Sequence, residues 1–265
     1  MRRDSSPDFI EAIARGLDVI RGFDASRPAM SLSEVAVASG LPRPTARRIL
    51  ITLEQLGYVR SGDEGFVLTP RVIELGMAYI GSTSIWDIVR PNLADLVKQT
   101  NESSSVAQLD GSDIVYVARV AVPKLVTLSV TIGTRFPAVS TSLGKVLLAA
   151  LTPEELDRTL AEPTRSGLVP QWQPSRSEID AALDEVRERG WAITDEQLAR
   201  GIRSVATAVR DADGRTVAAV NVNSNSAETS IETLTEHHLP LLLTCAEAIG
   251  RDWVAWHSRP LLVVS

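Results

Sequence analysis

Arg43, Arg47 and Arg48 fall in the segment Pro42-Arg43-Pro44-Thr45-Ala46-Arg47-Arg48-Ile49-Leu50. Guanidinium groups so placed can fork onto phosphate oxygens or onto the O6 and N7 acceptors of guanine. A second cluster with chemical potential is Ser142-Leu143-Gly144-Lys145, which has the Ser-x-x-Lys spacing of a serine nucleophile beside a lysine. Its usual companions, Ser-Asp-Asn and Lys-Thr-Gly, are missing from the chain. Nor is it a phosphate-binding loop, because Val139 replaces the first glycine and Val146 the Ser or Thr. The better use of that segment is a helix start whose free backbone N–H groups face an anion. His237, His238 and His257 are the only histidines, and none has the carboxylate or serine context of a triad. Solvated surface is expected for His237 and His238, and no metal site is expected. Cys245 is the only cysteine, so an intrachain disulfide or a cysteine-based zinc cluster is excluded and a buried apolar role is expected.

The arginines need an element to present them. Ala46, Ile49, Leu50 and Leu53 recur at i, i+3, i+4 and i+7, which predicts a helix with that stripe inward. The arginines lie off the stripe near the helix start, where a recognition helix meets a major groove. A shorter helix from Ser31, with Leu32, Val35 and Ala36 apolar, precedes it across the tight turn Gly40-Leu41. A structural helical hairpin with solvated arginines has the same pattern. The residues after the second helix favour nucleic acid. Tyr58-Val59 and Phe66-Val67-Leu68 flank Gly62-Asp63-Glu64-Gly65, predicting a wing hairpin with Arg60 at backbone phosphate. The residues expected at DNA are Ser31, Pro42, Arg43, Thr45, Arg47, Arg48 and Arg60.

The net charge of −6 over 265 residues does not oppose this. Residues 1–80 hold ten arginines and ten acids, whereas residues 81–265 hold 17 basic and 23 acidic residues. Between 43 and 60 four arginines face Glu54 alone. Attraction for phosphate is thus a local patch, and dimerisation is expected to supply the remaining affinity. Met1-Arg2-Arg3-Asp4 is not followed by an apolar signal region, and no apolar run is long enough to span a membrane. A soluble cytoplasmic protein is expected.

Along the chain, Phe9, Ile13, Leu17 and Ile20 predict a first helix, and helices from Pro70 to about Thr100 predict a linker. The linker is expected to expose Ile85, Trp86 and Val89. Strands are predicted at 105–109, 114–120, 125–132, 202–210 and 216–223, and helices at 142–151, 153–160, 177–189 and from Thr229 to about Trp256. Thr229 and Glu232 read as a capping box for the last helix. Trp172, between Pro170 and Pro174, reads equally as a lid or a packed connector. Asn221 and Asn223 alternate with Val220 and Val222, so both amides share one strand face, lining either a ligand pocket or a wet surface.

Several stretches together resemble the IclR family of bacterial transcription regulators over nearly the whole length. They are Ala14-Arg15-Gly16-Leu17-Asp18-Val19-Ile20, the Leu32–Leu50 segment, and Thr141-Ser142-Leu143-Gly144-Lys145-Val146-Leu147-Leu148-Ala149. Gly190–Ala206 is similar to the family's effector-domain signature, with Thr194 where the signature has Asp or Ser and Gln197 where it has Glu. Asp195-Glu196-Gln197-Leu198-Ala199-Arg200-Gly201-Ile202-Arg203-Ser204-Val205-Ala206 and the Ser129–Ala138 run resemble the subgroup regulating aromatic-acid catabolism through protocatechuate and β-ketoadipate.

The resemblance implies a two-domain α+β protein: a winged helix-turn-helix at 8–69, a helical linker at 70–101, and a GAF-like antiparallel sheet domain covered by helices at 102–256. It further implies a homodimer, often paired into a tetramer, acting on double-stranded operator DNA, with RNA polymerase as a further partner. A small carboxylic-acid effector is expected at Arg135, Ser142, Leu143, Gly144, Thr194, Arg203, Ser204, Asn221 and Asn223. Arg135 and Arg203 are expected either to bind its carboxylate or to pair with acids of the chain. No cofactor, membrane contact or enzymatic role is expected. An enzyme built on the C-terminal domain and a protein-interaction module built on the hairpin are the rival readings.

Overall fold

The computed structural model describes residues 8–24, 26–83, 85–123 and 130–257, and for 80–83, 85–87 and 257 the backbone alone. The chain divides between Thr83 and Ser84 into two compact units.

In the N-terminal unit, α1 (Glu11–Arg21), α2 (Leu32–Ser39) and α3 (Arg43–Gln55) pack over the strands β1 (Ala29–Met30), β2 (Val59–Gly62) and β3 (Gly65–Leu68). α4 (Ile73–Thr83) closes the unit. α2 starts at Ser31, whose hydroxyl accepts the Glu34 N–H while the Glu34 carboxylate accepts the Ser31 N–H. Such a reciprocal cap contributes about 1 kcal/mol. The helix ends where Gly40 turns left-handed at φ 65°, a conformation that glycine adopts without steric cost. Val35, Leu41, Ala46, Leu50, Leu53 and Val59 form the core with Val19 and Met30, as the inward stripe of α3 requires. The wing is antiparallel in the order β1-β3-β2, and β1 is a strand the sequence pattern did not reveal. On α1 the apolar stripe is divided: Ile13 is 60% and Leu17 41% exposed, Ile20 packs at the edge of the core, and Val19 alone is fully buried.

The C-terminal unit begins with α5 (Ile85–Thr100) and continues with β4 (Ser103–Asp110), β5 (Asp113–Val120) and β6 (Arg135–Pro137). Three helices come next, α6 (Ser142–Ala149), α7 (Pro153–Ala161) and α8 (Arg176–Arg189). β7 (Trp191–Asp195), β8 (Ile202–Arg210), β9 (Thr216–Asn225), a π-helical stretch at Thr233–His238 and α9 (Leu239–His257) complete it. The sheet is antiparallel in the order β6-β5-β4-β9-β8-β7. Val106, Val205, Val220 and Val222 face α5 and α9 on one side, while Ala107, Ala206 and Ala219 face α6 and α8 on the other.

Several elements differ from expectation. The second half of the predicted linker belongs to this unit: Leu93 is buried and Val89 is 1% exposed, because α5 spends its apolar side on the sheet. The side chains of Ile85 and Trp86 lie outside the described residues, as do 125–129 of the predicted 125–132 strand. Ile132 and Gly133 form a turn. Thr229 is not a cap, since its hydroxyl donates to buried Glu102 at 2.8 Å, and Ser230 accepts the Thr233 N–H at 3.1 Å. His238 is buried rather than solvated. Cys245 is buried as expected, and desolvation pushes its thiol up to about 12. The short strands β6 and β7 were not anticipated.

Candidate nucleic-acid interface and ligand face

Arg43, Arg47 and Arg48 are exposed on the outer side of α3, with Pro42 exposed before them and Thr45 half-buried among them. The ion pairs described in this unit are Arg15–Glu11, Arg27–Asp24 and Arg71–Glu74, and they engage none of the three. Glu54, the acid nearest in sequence, is turned to the wing instead. It accepts the Ser61 N–H at 2.9 Å and the Ser61 hydroxyl, which hold its pKa below the usual carboxylate value. Arg60, exposed on β2 opposite Val67, extends the cationic surface to the wing. Ser31 uses its oxygen as the α2 cap, which leaves its proton for an outside acceptor.

In the C-terminal unit the sheet register lines up a polar row on the α6 side. Arg119 lies opposite Ser105, and Ser105 opposite Asn221; one rung away, Ser103, Asn223, Ser204 and Thr194 lie side by side. The first row is joined by hydrogen bonds. Arg119 Nη1 donates to Ser105 Oγ at 2.9 Å, and the Ser105 N–H donates to Asn221 Oδ1 at 3.0 Å. Asn221 Nδ2 then donates to Ser204 Oγ at 2.9 Å. Ser204 donates onward to the Val222 carbonyl at 3.1 Å and lies 2.8 Å from Ser142 Oγ at the start of α6. Asn221 is 2% exposed, and such a residue is retained in an interior only when its amide is satisfied. Thr194, Ser142 and Leu143 are buried beside this row.

Gly144 has a packing reason. A Cβ there would sit 2.1 Å from the Ala138 carbonyl oxygen, so the residue lets α6 pass against the turn before it. Ser142 meets Ser204 rather than Lys145, so the Ser-x-x-Lys spacing forms no nucleophile–base pair.

Arg135 and Arg203, expected either to bind an anion or to pair with acids of the chain, take the second course. Arg135 pairs with Asp110 at 2.6 Å and with buried Asp113 at 3.3 Å. Arg203 pairs with Asp195 at 2.7 Å, which raises its pKa, and donates to the Thr229 carbonyl at 2.7 Å. Acids facing them across neighbouring strands supply the counter-charge, a pairing invisible without the register. Arg119 was missed. In sequence it reads as one outward position of a strand, and only its opposition to Ser105 and Asn221 marks it. Trp172 is a packed connector: its N–H donates to the Gln197 carbonyl at 2.9 Å and its carbonyl accepts Ser140 Oγ at 3.0 Å. Two clefts lie away from the polar row, one of about 670 Å³ beside α9 and one of about 810 Å³ at the far end of α6.

Comparison with known proteins agrees with both units. Residues 12–63 match the IclR helix-turn-helix domain, and residues 77–251 match the C-terminal domain of the bacterial transcriptional regulator IclR. The chain is 34% identical to the Pca regulon regulatory protein of Pseudomonas putida, over 91% of its own length and 83% of that protein. It is 31% identical to the Pca operon regulatory protein of Acinetobacter baylyi, over 91% of itself and 88% of that protein. Among solved structures, a transcriptional regulator from Rhodococcus sp. RHA1 superposes with a TM-score of 0.78 at 45% identity, covering 92% of this chain and 98% of the other. No helix of the described residues is long and apolar enough to cross a membrane. Because both family domains are matched in order and together span most of the sequence, the chain belongs to the IclR family of bacterial transcriptional regulators.

Proposed function

We propose that this regulator controls genes of aromatic-acid catabolism and that a small carboxylic acid, bound on the α6 side of the sheet, sets its affinity for operator DNA. The hydrogen-bonded row Arg119–Ser105–Asn221–Ser204–Ser142 carries the reading, because it places donors on an inner sheet face where apolar residues would pack better. The names of the Pca relatives support the pathway. Ser142, Leu143, Gly144, Thr194, Ser204, Asn221 and Asn223 surround the acid. The paired Arg135 and Arg203 shape the domain and do not touch the ligand.

At the DNA, Arg43, Arg47, Arg48 and Thr45 enter the major groove while Ser31, Pro42 and Arg60 meet the backbone. A homodimer, paired into a tetramer on longer operators, reads two half-sites in the cytoplasm and acts on RNA polymerase there. The enzyme reading is disfavoured because the Ser142 hydroxyl faces Ser204 and not a base.

Titration of labelled promoter DNA from a candidate catabolic operon, with and without protocatechuate or β-ketoadipate, tests the proposal. Specific, salt-dependent binding that shifts by about 1–3 kcal/mol with one of the acids is expected. Binding that no acid alters would overturn the effector reading, and the absence of specific binding would overturn the regulator reading for that operon.

A further inference from the structure

We infer that the cleft at the far end of α6 is a second ligand site, separate from the polar row, and that it takes a soluble amphiphilic anion. Such a ligand has an apolar acyl or aryl body and a multiply charged head such as a phosphate.

The cleft lies where the last turn of α6 meets α8, the β4–β5 hairpin and the β8–β9 hairpin, and its volume is about 810 Å³. That size is ordinary for a small-molecule site. Val146 and Leu147 from α6, Val186 from α8 and Val217 from β9 give it an apolar lining. Covering such a lining with the apolar part of a ligand removes surface from water and favours binding.

The charge on the same lining is positive. Arg187, Arg210 and Arg215 all border the cleft, and no acid is among the described residues that do. Two of the guanidiniums are steadied by main chain. Arg187 Nε donates to the Ala149 carbonyl at 3.0 Å, and Arg210 Nη1 donates to the Gly214 carbonyl at 2.9 Å. Those bonds orient the cations without neutralising them. The acids that do pair here stand in solvent: Asp184 lies 2.7 Å from Arg187, and Asp213 lies 3.6 Å from Arg215. Exposed pairs of this kind hold weakly, so an anion that forks onto the guanidiniums can replace them.

The cleft beside α9 supplies the contrast. Arg210 and Arg251 line it, but so do Asp211 and Glu247, and its charges cancel. Of the two clefts, the one at the end of α6 combines an apolar lining with an excess of positive charge. A phosphate monoester, close to doubly charged at neutral pH, suits that excess better than a single carboxylate.

Calorimetry on the full-length protein with octyl phosphate, octanoate, octanol and inorganic phosphate tests this. The wild type should bind one octyl phosphate per chain about tenfold or more tightly than octanol or inorganic phosphate, with octanoate between. The double variant Arg187→Gln, Arg215→Gln should lower octyl phosphate affinity about tenfold while leaving octanol unchanged. Both arginines are exposed, so neither substitution threatens the fold. Ala150→Trp, at an exposed position on the lining, should abolish binding of both, and Arg251→Gln in the other cleft should change nothing. Equal affinities for octyl phosphate and octanol overturn the anionic assignment. Inorganic phosphate bound as tightly as octyl phosphate overturns the amphiphilic one. Binding that Arg251→Gln weakens, or that Ala150→Trp leaves intact, overturns the location. A wild type that binds no octyl phosphate at millimolar concentration overturns the site itself.

Discussion

Lys145 donates to the side-chain oxygen of Gln197 at 2.6 Å with its ammonium 4.5 Å from the centroid of the Trp172 ring. The lysine is 6% exposed, so a buried cation is held by an amide dipole and an aromatic face where the family signature has a glutamate. Burial brings its pKa down to about 8, with Glu185 opposing and Arg189 adding to the effect. Between this lowered native value and the ordinary lysine value of 10.5, the unfolded chain binds more protons than the native one. Stability should therefore rise with pH through that window, and the burial penalty is fully present below it. Wild type is expected to gain stability relative to Lys145→Met between pH 7.5 and about 10 in urea unfolding, and Gln197→Glu should remove most of that slope. Parallel pH profiles for wild type and Lys145→Met would refute the assignment.

Why the sequence revealed some of this and hid the rest is a matter of range. Local periodicity displayed α2, the turn at Gly40 and α3, because the apolar stripe and the arginines of α3 lie within one short segment. The same held for the β8–β9 hairpin, whose valines and asparagines alternate within one strand. Pairings across the sheet were not legible. Arg135 finds Asp110 and Asp113 on a neighbouring hairpin, and Arg203 finds Asp195 on β7, a strand the pattern did not show. Arg119 belongs to the same class: its meaning appears only when β5, β4 and β9 lie side by side. Helix α5 misled for another reason. An apolar face can serve a partner or the chain's own sheet, and periodicity does not distinguish them.

If the proposed DNA contacts hold, the exposed arginines of α3 should differ in role from Arg60 on the wing. Arg47→Ala or Arg48→Ala should weaken specific operator binding by about 1–3 kcal/mol and relax preference at the bases they read. Arg60→Ala should lower affinity for all sequences alike and reduce the salt slope by about one. Gel-shift titrations over a salt series separate the two. Unchanged operator affinity in the Arg43/Arg47/Arg48 triple alanine variant would remove α3 from the major groove.

Gly144 is held by packing. The Ala138 backbone lies 2.1–2.5 Å from where a Cβ would stand, so neither side can yield without moving α6 off the sheet. Gly144→Ala should cost on the order of 2–4 kcal/mol, far beyond its gain in helix propensity. Urea denaturation measures it, and a stability equal to wild type would show that α6 lies farther from the turn.

Assembly should run through the N-terminal unit, where α1 exposes Ile13 and Leu17 beside Ile10, and α4 exposes Ile73, Leu75, Met77 and Tyr79. Apolar faces of this extent are rarely left to water. The double variant Ile13→Asp, Leu17→Asp is expected to sediment as a monomer and to lose operator affinity by about tenfold or more, since one protomer contacts one half-site. A dimer that survives the substitution would place the interface elsewhere.

Asn221 and Asn223 share a strand face but should behave differently when truncated. Asn221 accepts the Ser105 N–H at 3.0 Å and donates to Ser204 at 2.9 Å, and it is fully enclosed. Asn221→Ala therefore leaves a buried donor and weakens the row toward Ser142, at an expected cost of about 2–3 kcal/mol in folding. Asn223, half-buried opposite Ser204 and Ser103, makes no described side-chain hydrogen bond, so its amide is free for an outside group. Asn223→Ala should change stability by no more than about 0.5 kcal/mol while weakening effector binding about fivefold or more. Urea unfolding and calorimetry on the same two variants make the comparison. If Asn223→Ala binds the acid as wild type does, the ligand lies nearer the Arg119 end of the face. If Asn221→Ala costs no stability, the row is hydrated and its hydrogen bonds exchange with water.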